Sequence, residues 1–194
     1  MRKTLPNRGD ISSKRALAFR IRSGNDGDMK LKSPDDLIII LQHRLQNAHR
    51  IAIIGVGDEL LPFDCLGMFA AREIEKLHLP DVNVFFAGTT PESITAPLRR
   101  FQPDHVILID AADMGVRPGT IAVLKPGRIQ ANLVSTHVLP LSVVMKFIAQ
   151  DSKTRVTLLG IQPDISKSKK RLTELDQEFL NQNLLALSAL FRDR

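Results

Sequence analysis

The chain has 194 residues, 43% of them apolar, with 27 basic and 21 acidic side chains for a formal charge of +6. That length can bury one substantial core, while no apolar run approaches the roughly 20 residues needed to span a bilayer and no short apolar leader opens the chain, so a cytoplasmic protein without membrane insertion is expected. The charge excess lies in residues 1–32, where nine basic side chains meet three acidic ones; the remainder balances at 18 and 18, and with no Trp or Tyr it offers neither a basic face nor a stacking platform for nucleic acid.

In chain order, Met1 to Lys32 reads as a basic N-terminal extension, flexible because it has too little periodic apolar surface to offset its ordering entropy. Its segment RALAFRIR could instead fold into a docking arm, and a start at Met29 would leave the upstream piece outside the compact protein. A transit peptide agrees poorly with Asp10 and the few serines. Residues 33–194 are expected to form a single α/β domain. Ser33 can cap a helix that Pro34 opens and that runs from Leu37 to Ala48, with Asp35 and Asp36 facing its positive dipole end.

Ile51 to Ile54 is an unbroken apolar run, the pattern of a strand buried on both faces of a parallel sheet. Gly55 and Gly57 turn the chain toward a helix over Met68 to Leu77, making a strand, loop and helix unit. Asp81 to Phe86 is a second strand, and Ser93 to Phe101 a helix restricted by Pro97. Asp104 to Ala111 repeats the opening pattern and presents Asp110 at its carboxyl end, with Asp113 beyond. Gly115 and the Pro118-Gly119 pair turn the chain into Thr120 to Leu124, a hairpin-like antiparallel partner. A link with Ser135, Thr136 and His137 precedes a helix from Pro140 to about Gln150, then Arg155 to Ile161 forms the last strand. Lys167 to Asp193 closes the chain as an amphipathic helix with Leu172, Leu175, Phe179, Leu180, Leu184, Leu187 and Leu190 on its apolar stripe. The expected architecture is α/β and three-layered: a mostly parallel twisted sheet of about five strands, one of them antiparallel, with helices on both faces.

In open α/β sheets, sites form in the crevice outside the carboxyl ends of the strands, so Asp58, Glu59 and Asp64 after the first strand are the initial candidates. Asp64, Asp110 and His137 all fall on such loops, and two carboxylates with an imidazole suit a divalent metal such as nickel or zinc. An acid at a strand end also serves to cap a helix or order a loop, and a histidine there is often simply exposed. Cys65 fits a reducing compartment and a small buried side chain; its sulfur could also reach a metal bound at Asp64. A dinucleotide turn is disfavoured, because the third glycine is missing and the acids would repel a pyrophosphate. No G-x-S-x-G elbow is present. A dyad of Asp64 and Asp110 acting as in aspartic proteases is chemically possible, with a separation the sequence does not fix.

The run GVGDELLPFDCLG resembles the GxGNxLxxDDGxG signature of the hydrogenase maturation endopeptidases. The resemblance continues through AGTTPES, VILIDAADMGVRPGTI, STHVLPLSVV and LLGIQPD in the same order, over roughly residues 50–165. IDAADMGVRPG and GIQPD are particularly similar to the branch that processes formate-hydrogenlyase-type hydrogenases. The resemblance implies an endopeptidase that removes a short C-terminal extension from the nickel-loaded precursor of a nickel-iron hydrogenase large subunit. It implies metal contacts at Asp64, Asp110 and His137, and Asp64 and Asp110 are then the candidate catalytic residues, either one available as the base for a metal-polarised carbonyl or water. Nickel then arrives with the precursor, which is the partner, and no tightly bound organic cofactor is expected. The chain departs from the family pattern at Asp58 (for Asn), Phe63 (for the first acid of the pair), Cys65 (for Gly) and Ala87 (for Asp). The departures at Phe63, Cys65 and Ala87 keep open a non-catalytic, nickel-sensing assembly factor for the same subunit; a second alternative is a small zinc metallohydrolase, which would retain its metal through purification.

Overall fold

The computed structural model describes residues 34–124, 141–151, 154–164 and 172–192. Its frame is set by two strands that are buried throughout. Strands β1 (Ile51–Val56) and β3 (His105–Ala111) are buried at every residue and lie side by side, parallel, with Ile51 opposite His105 and Gly55 opposite Ile109. β2 (Val82–Gly88), more polar and half exposed, occupies the edge beyond β1. β5 (Arg155–Ile161) pairs in parallel with the other side of β3, and β4 (Ile121–Leu124) ends the sheet, giving the order β2-β1-β3-β5-β4.

β4 is antiparallel, as expected, but it is not the hairpin-like partner of the preceding strand: it pairs with β5, Ile121 opposite Ile161. Both edges of β3 are already taken by β1 and β5, so the chain must step across β5 to find a ladder. Ala112 still donates to the Ile161 carbonyl at 2.9 Å before the chain departs.

Helices α1 (Pro34–Arg44), α2 (Leu66–Glu75) and α5 (Glu174–Arg192) cover one face, where Ile53, Ile107 and Leu159 meet Leu41, Ile74 and Leu180. Helices α3 (Thr95–Phe101) and α4 (Leu141–Asp151) cover the other, where Ile54, Leu108 and Leu158 meet Leu98, Val144 and Ile148. The alternation of Ile53 with Ile54 and of Ile107 with Leu108 is the period of two that assigns successive side chains to opposite layers. Strand order reverses after β2, so the helix after β1 and the helix after β2 lie on opposite faces.

Several boundaries moved for local reasons. A 3-10 turn (Pro91–Ile94) leads into α3, so Pro97 falls in the first turn, where its missing N–H has no intrahelical partner to lose. Gln102 closes α3 in the left-handed region at φ 51°, donating to the Leu98 carbonyl. α5 begins at Glu174, later than Lys167, behind a cap in which Thr173 Oγ1 donates to Asp176 Oδ2 at 2.7 Å and accepts from the Asp176 amide at 3.3 Å. Leu175, placed on the apolar stripe from sequence, is 73% exposed, and the buried stripe begins at Leu180. The expected extension over residues 1–32 and the cap at Ser33 lie outside the described residues.

At the amino ends of the strands, Asp104 Oδ2 accepts the amides of His49 at 2.9 Å and Arg50 at 2.8 Å, tying the approach to β1 to that of β3. These backbone donors, Arg50 foremost, hold the Asp104 carboxyl below its ordinary range. No helix among the described residues is long and apolar enough to cross a membrane.

Candidate active site

Glycines decide where the β1 loop and α2 sit. A Cβ on Gly67 would run into the backbone oxygens of both Val56 and Ile109, so the first turn of α2 is seated directly on the carboxyl ends of β1 and β3. A Cβ on Gly55 would lie 2.6 Å from that of Ala71, which brings the next turn equally close. Gly57 adopts φ +130° with its α-carbon pressed toward the Asp64 carbonyl, folding the loop back on itself.

That folding delivers Asp64. It is 1% exposed, and its Oδ2 accepts the Asp58 amide at 2.8 Å, closing the loop from Asp58 to Asp64 into a ring. Inside the ring the Asp64 amide donates to the Leu61 carbonyl at 2.9 Å, and Asp58 Oδ1 accepts the Leu60 amide at 2.9 Å. Asp58 therefore orders the loop, in a role that needs only a side-chain oxygen. Glu59 is engaged by Arg72 of α2, which donates to its two oxygens at 2.9 and 3.0 Å and lies 4.9 Å from the Phe86 ring centre. Of the three initial candidates, only Asp64 is a buried carboxylate at the crevice.

Asp110 is 3% exposed, at the end of the fully buried β3 and directly after Ile109, against whose carbonyl Gly67 rests. Its Oδ1 accepts the Ala111 amide at 2.8 Å. The fold thus brings Asp64 and Asp110 to the carboxyl ends of adjacent parallel strands, one through the seating of α2 and the other through its place in β3. His137 lies outside the described residues, shortly before Leu141, where α4 begins. Among the described residues, no three His, Cys, Asp or Glu side chains group closely enough to hold a metal ion.

Among the positions that depart from the resembled pattern, Cys65 and Ala87 occupy sites that accept them. Cys65 precedes α2 at φ −72°, a conformation open to any residue, and its Sγ donates to the Pro62 carbonyl at 3.5 Å. Ala87 is 4% exposed in the layer between the sheet and α3 and α4, and its carbonyl accepts the Thr90 amide at 3.1 Å. For Phe63 nothing in the structure explains the change.

Sequence reasoning missed Gln162. One residue beyond β5 and 2% exposed, it bonds to the loop that follows Asp110, its carboxamide oxygen accepting the Met114 amide at 2.6 Å. The only signal available was a polar side chain directly after a buried strand, inside the GIQPD run.

Fold and loop geometry together define an α/β protein that holds two buried carboxylates where β1 and β3 end. A family model for hydrogenase maturation protease matches residues 68–185, more than half of the chain, and the chain belongs to that family. The match takes in Asp110, His137 and Gln162 and begins after Asp64. The hydrogenase 3 maturation protease of Escherichia coli K12 is 30% identical over 114 residues, covering 58% of this chain and 72% of its own. The crystal structure of the nickel-iron hydrogenase maturation protease HycI from Thermococcus kodakarensis superposes with a TM-score of 0.68 at 27% identity, over 78% of this chain and 98% of that one. The hydrogenase maturating endopeptidase HybD from Escherichia coli superposes with a TM-score of 0.58 at 26% identity, over 74% and 93% of the two chains. The protein is accordingly a peptidase.

Proposed function

We propose that the protein removes a short C-terminal extension from the nickel-loaded precursor of a nickel-iron hydrogenase large subunit, with Asp64, Asp110 and His137 contacting the nickel that the precursor carries. The observation that supports this reading is a pair of buried carboxylates, Asp64 in the loop after β1 and Asp110 at the end of the adjacent β3, with Gly67 seated against the Val56 and Ile109 carbonyls. Two carboxylates and an imidazole match the donor preferences of nickel, and a site assembled from them recognises loaded precursor and passes over the empty one. The runs IDAADMGVRPG and GIQPD favour a substrate of the formate-hydrogenlyase type.

In the chemical step, one of the two aspartates accepts a proton from the water that attacks the scissile carbonyl. The carbon–nitrogen bond then breaks as the departing amine takes up the proton that the aspartate accepted from the water. One oxygen of each carboxylate is oriented by a backbone amide, Asp58 for Asp64 and Ala111 for Asp110, which fixes the direction each presents to the substrate.

The test is incubation of the full chain with nickel-loaded and nickel-free precursor, followed by intact mass, with Asp64→Ala, Asp110→Ala and His137→Ala in parallel. Loss of a C-terminal peptide from the loaded precursor alone, abolished by each substitution, is expected. A precursor that stays intact while forming a nickel-dependent complex would sink the cleavage reading and favour an assembly factor. Zinc retained by the purified protein would instead favour a metallohydrolase.

A further inference from the structure

We infer that Gln162 is a positioning residue for substrate binding: it holds the loop between β3 and β4 as a rigid wall beside Asp110, against which the precursor chain is placed. The inference rests on the peptidase reading above.

The Gln162 carboxamide is fully used. Its oxygen accepts the amides of Met114 at 2.6 Å and Val116 at 3.4 Å, and its nitrogen donates to Asp113 Oδ1 at 3.2 Å and the Pro163 carbonyl at 3.0 Å. Only this orientation of the amide satisfies two N–H donors on one side and a carboxylate on the other. The Gln162 backbone adds two bonds, donating to the Thr120 carbonyl and accepting the Gly119 amide, both at 2.9 Å. One buried residue therefore bonds the chain at both ends of the loop, by its side chain from Asp113 to Val116 and by its backbone at Gly119 and Thr120.

The outer side of the loop is held separately. Asn183 Nδ2 donates to the Gly119 carbonyl at 3.2 Å, and Arg117 bonds Asp176 at 3.4 Å while lying 4.1 Å from the Phe179 ring centre. Attachment to the body of the fold is thus supplied by α5, whereas Gln162 sets the conformation of Asp113 to Val116, the part that follows Asp110. That stretch leaves Val116 46% exposed, and the loop after β1 leaves Leu60 88% exposed. The loop that carries Asp64 and the loop that follows Asp110 thus each expose an apolar side chain that a polypeptide substrate can cover.

The experiment uses the full chain and nickel-loaded precursor with Gln162→Glu, Asp113→Asn and the double variant. Gln162→Glu keeps the acceptor oxygen but turns the donor toward Asp113 and Pro163 into a second acceptor. Precursor KM and Kd should rise about tenfold with kcat within about twofold, and exchange of the Met114 and Val116 amides should accelerate by a similar factor without precursor. In the double variant the carboxamide introduced at position 113 can donate to the carboxylate introduced at position 162, while giving up the Gly115 amide that Asp113 Oδ1 accepts at 3.1 Å, and KM should recover in part, to within about fivefold of wild type. Unchanged KM and Kd, or a fall in kcat equal to the rise in KM with no rescue, overturns the inference. If the wild-type protein leaves the precursor uncut, the peptidase reading fails, and Kd with amide exchange still decides the role of Gln162.

Discussion

Gly67 of α2 and Ile109 of β3 touch so closely that the glycine α-carbon faces the Ile109 carbonyl with no room for a side chain. This contact joins the element that delivers Asp64 to the strand that delivers Asp110. Gly67→Ala forces the helix away from two strand ends, and because the opposing atoms are backbone oxygens neither can rotate aside. A loss of about 3 kcal/mol in unfolding free energy is expected, at the upper end for overpacking, with precursor cleavage abolished even where the variant folds. Urea denaturation of the variant beside wild type measures the first effect and intact mass the second.

Two glycines with positive φ separate strain from crowding. Gly115, at φ +66°, has nothing within 4 Å of an added Cβ, so Gly115→Ala should cost only about 1 kcal/mol from the left-handed backbone. Gly57, at φ +130°, combines an unfavourable conformation with the Asp64 backbone in the way. Gly57→Ala should therefore be clearly the more destabilising of the two and should alone abolish cleavage. Equal midpoints in parallel denaturation curves would show that the β1 loop yields more readily than its geometry implies.

Asp58 supplies an oxygen to the Leu60 amide and its own amide to Asp64. An asparagine supplies both, so Asp58→Asn should leave stability and cleavage close to wild type. Asp58→Ala removes the acceptor and should cost about 1 kcal/mol. A large loss of cleavage in the asparagine variant would assign the carboxylate a chemical role beyond ordering the loop.

Asp104 gives the fold a defined acid response. Its folded pKa lies below the ordinary value because the Arg50 and His49 amides favour the charged form, so the protein binds this proton less readily than the unfolded chain does. The resulting stability is present above the unfolded pKa and is lost as pH falls through the depressed folded value. Asp104→Asn should therefore lower the thermal midpoint at neutral pH, with the gap to wild type closing in acid. The carboxylate is partly exposed, so the effect should be small and should shrink further in high salt. A gap that persists undiminished at the acid end would contradict this assignment.

The sheet was largely legible because residues 51–54 and 106–109 of its central strands are unbroken apolar runs, and Arg155 to Ile161 is the same strand in sequence and structure. β1 runs two residues beyond Ile54, since Gly55, which suggests a turn, is needed instead for the approach of Ala71. The pairing of β4 could not be read locally, because it depends on β5 already occupying the second edge of β3. Asp64 and Asp110 stood out as acids after buried strands, while the engagement of Glu59 by Arg72 required two residues 13 apart to meet on the folded surface. Gln162 was less visible still, because its partners lie 46 to 49 residues earlier and converge only when β3 and β5 pair.

The ring from Asp58 to Asp64 has an energetic consequence. Its carboxylate-to-amide bond, its internal turns, the Arg72 to Glu59 ion pair and the seat of Gly67 are all present in the protein alone. The conformational entropy of this loop is therefore surrendered during folding and not upon encounter with a substrate. A protein arriving there meets a surface already in its final shape, and none of its binding free energy is consumed in arranging the loop.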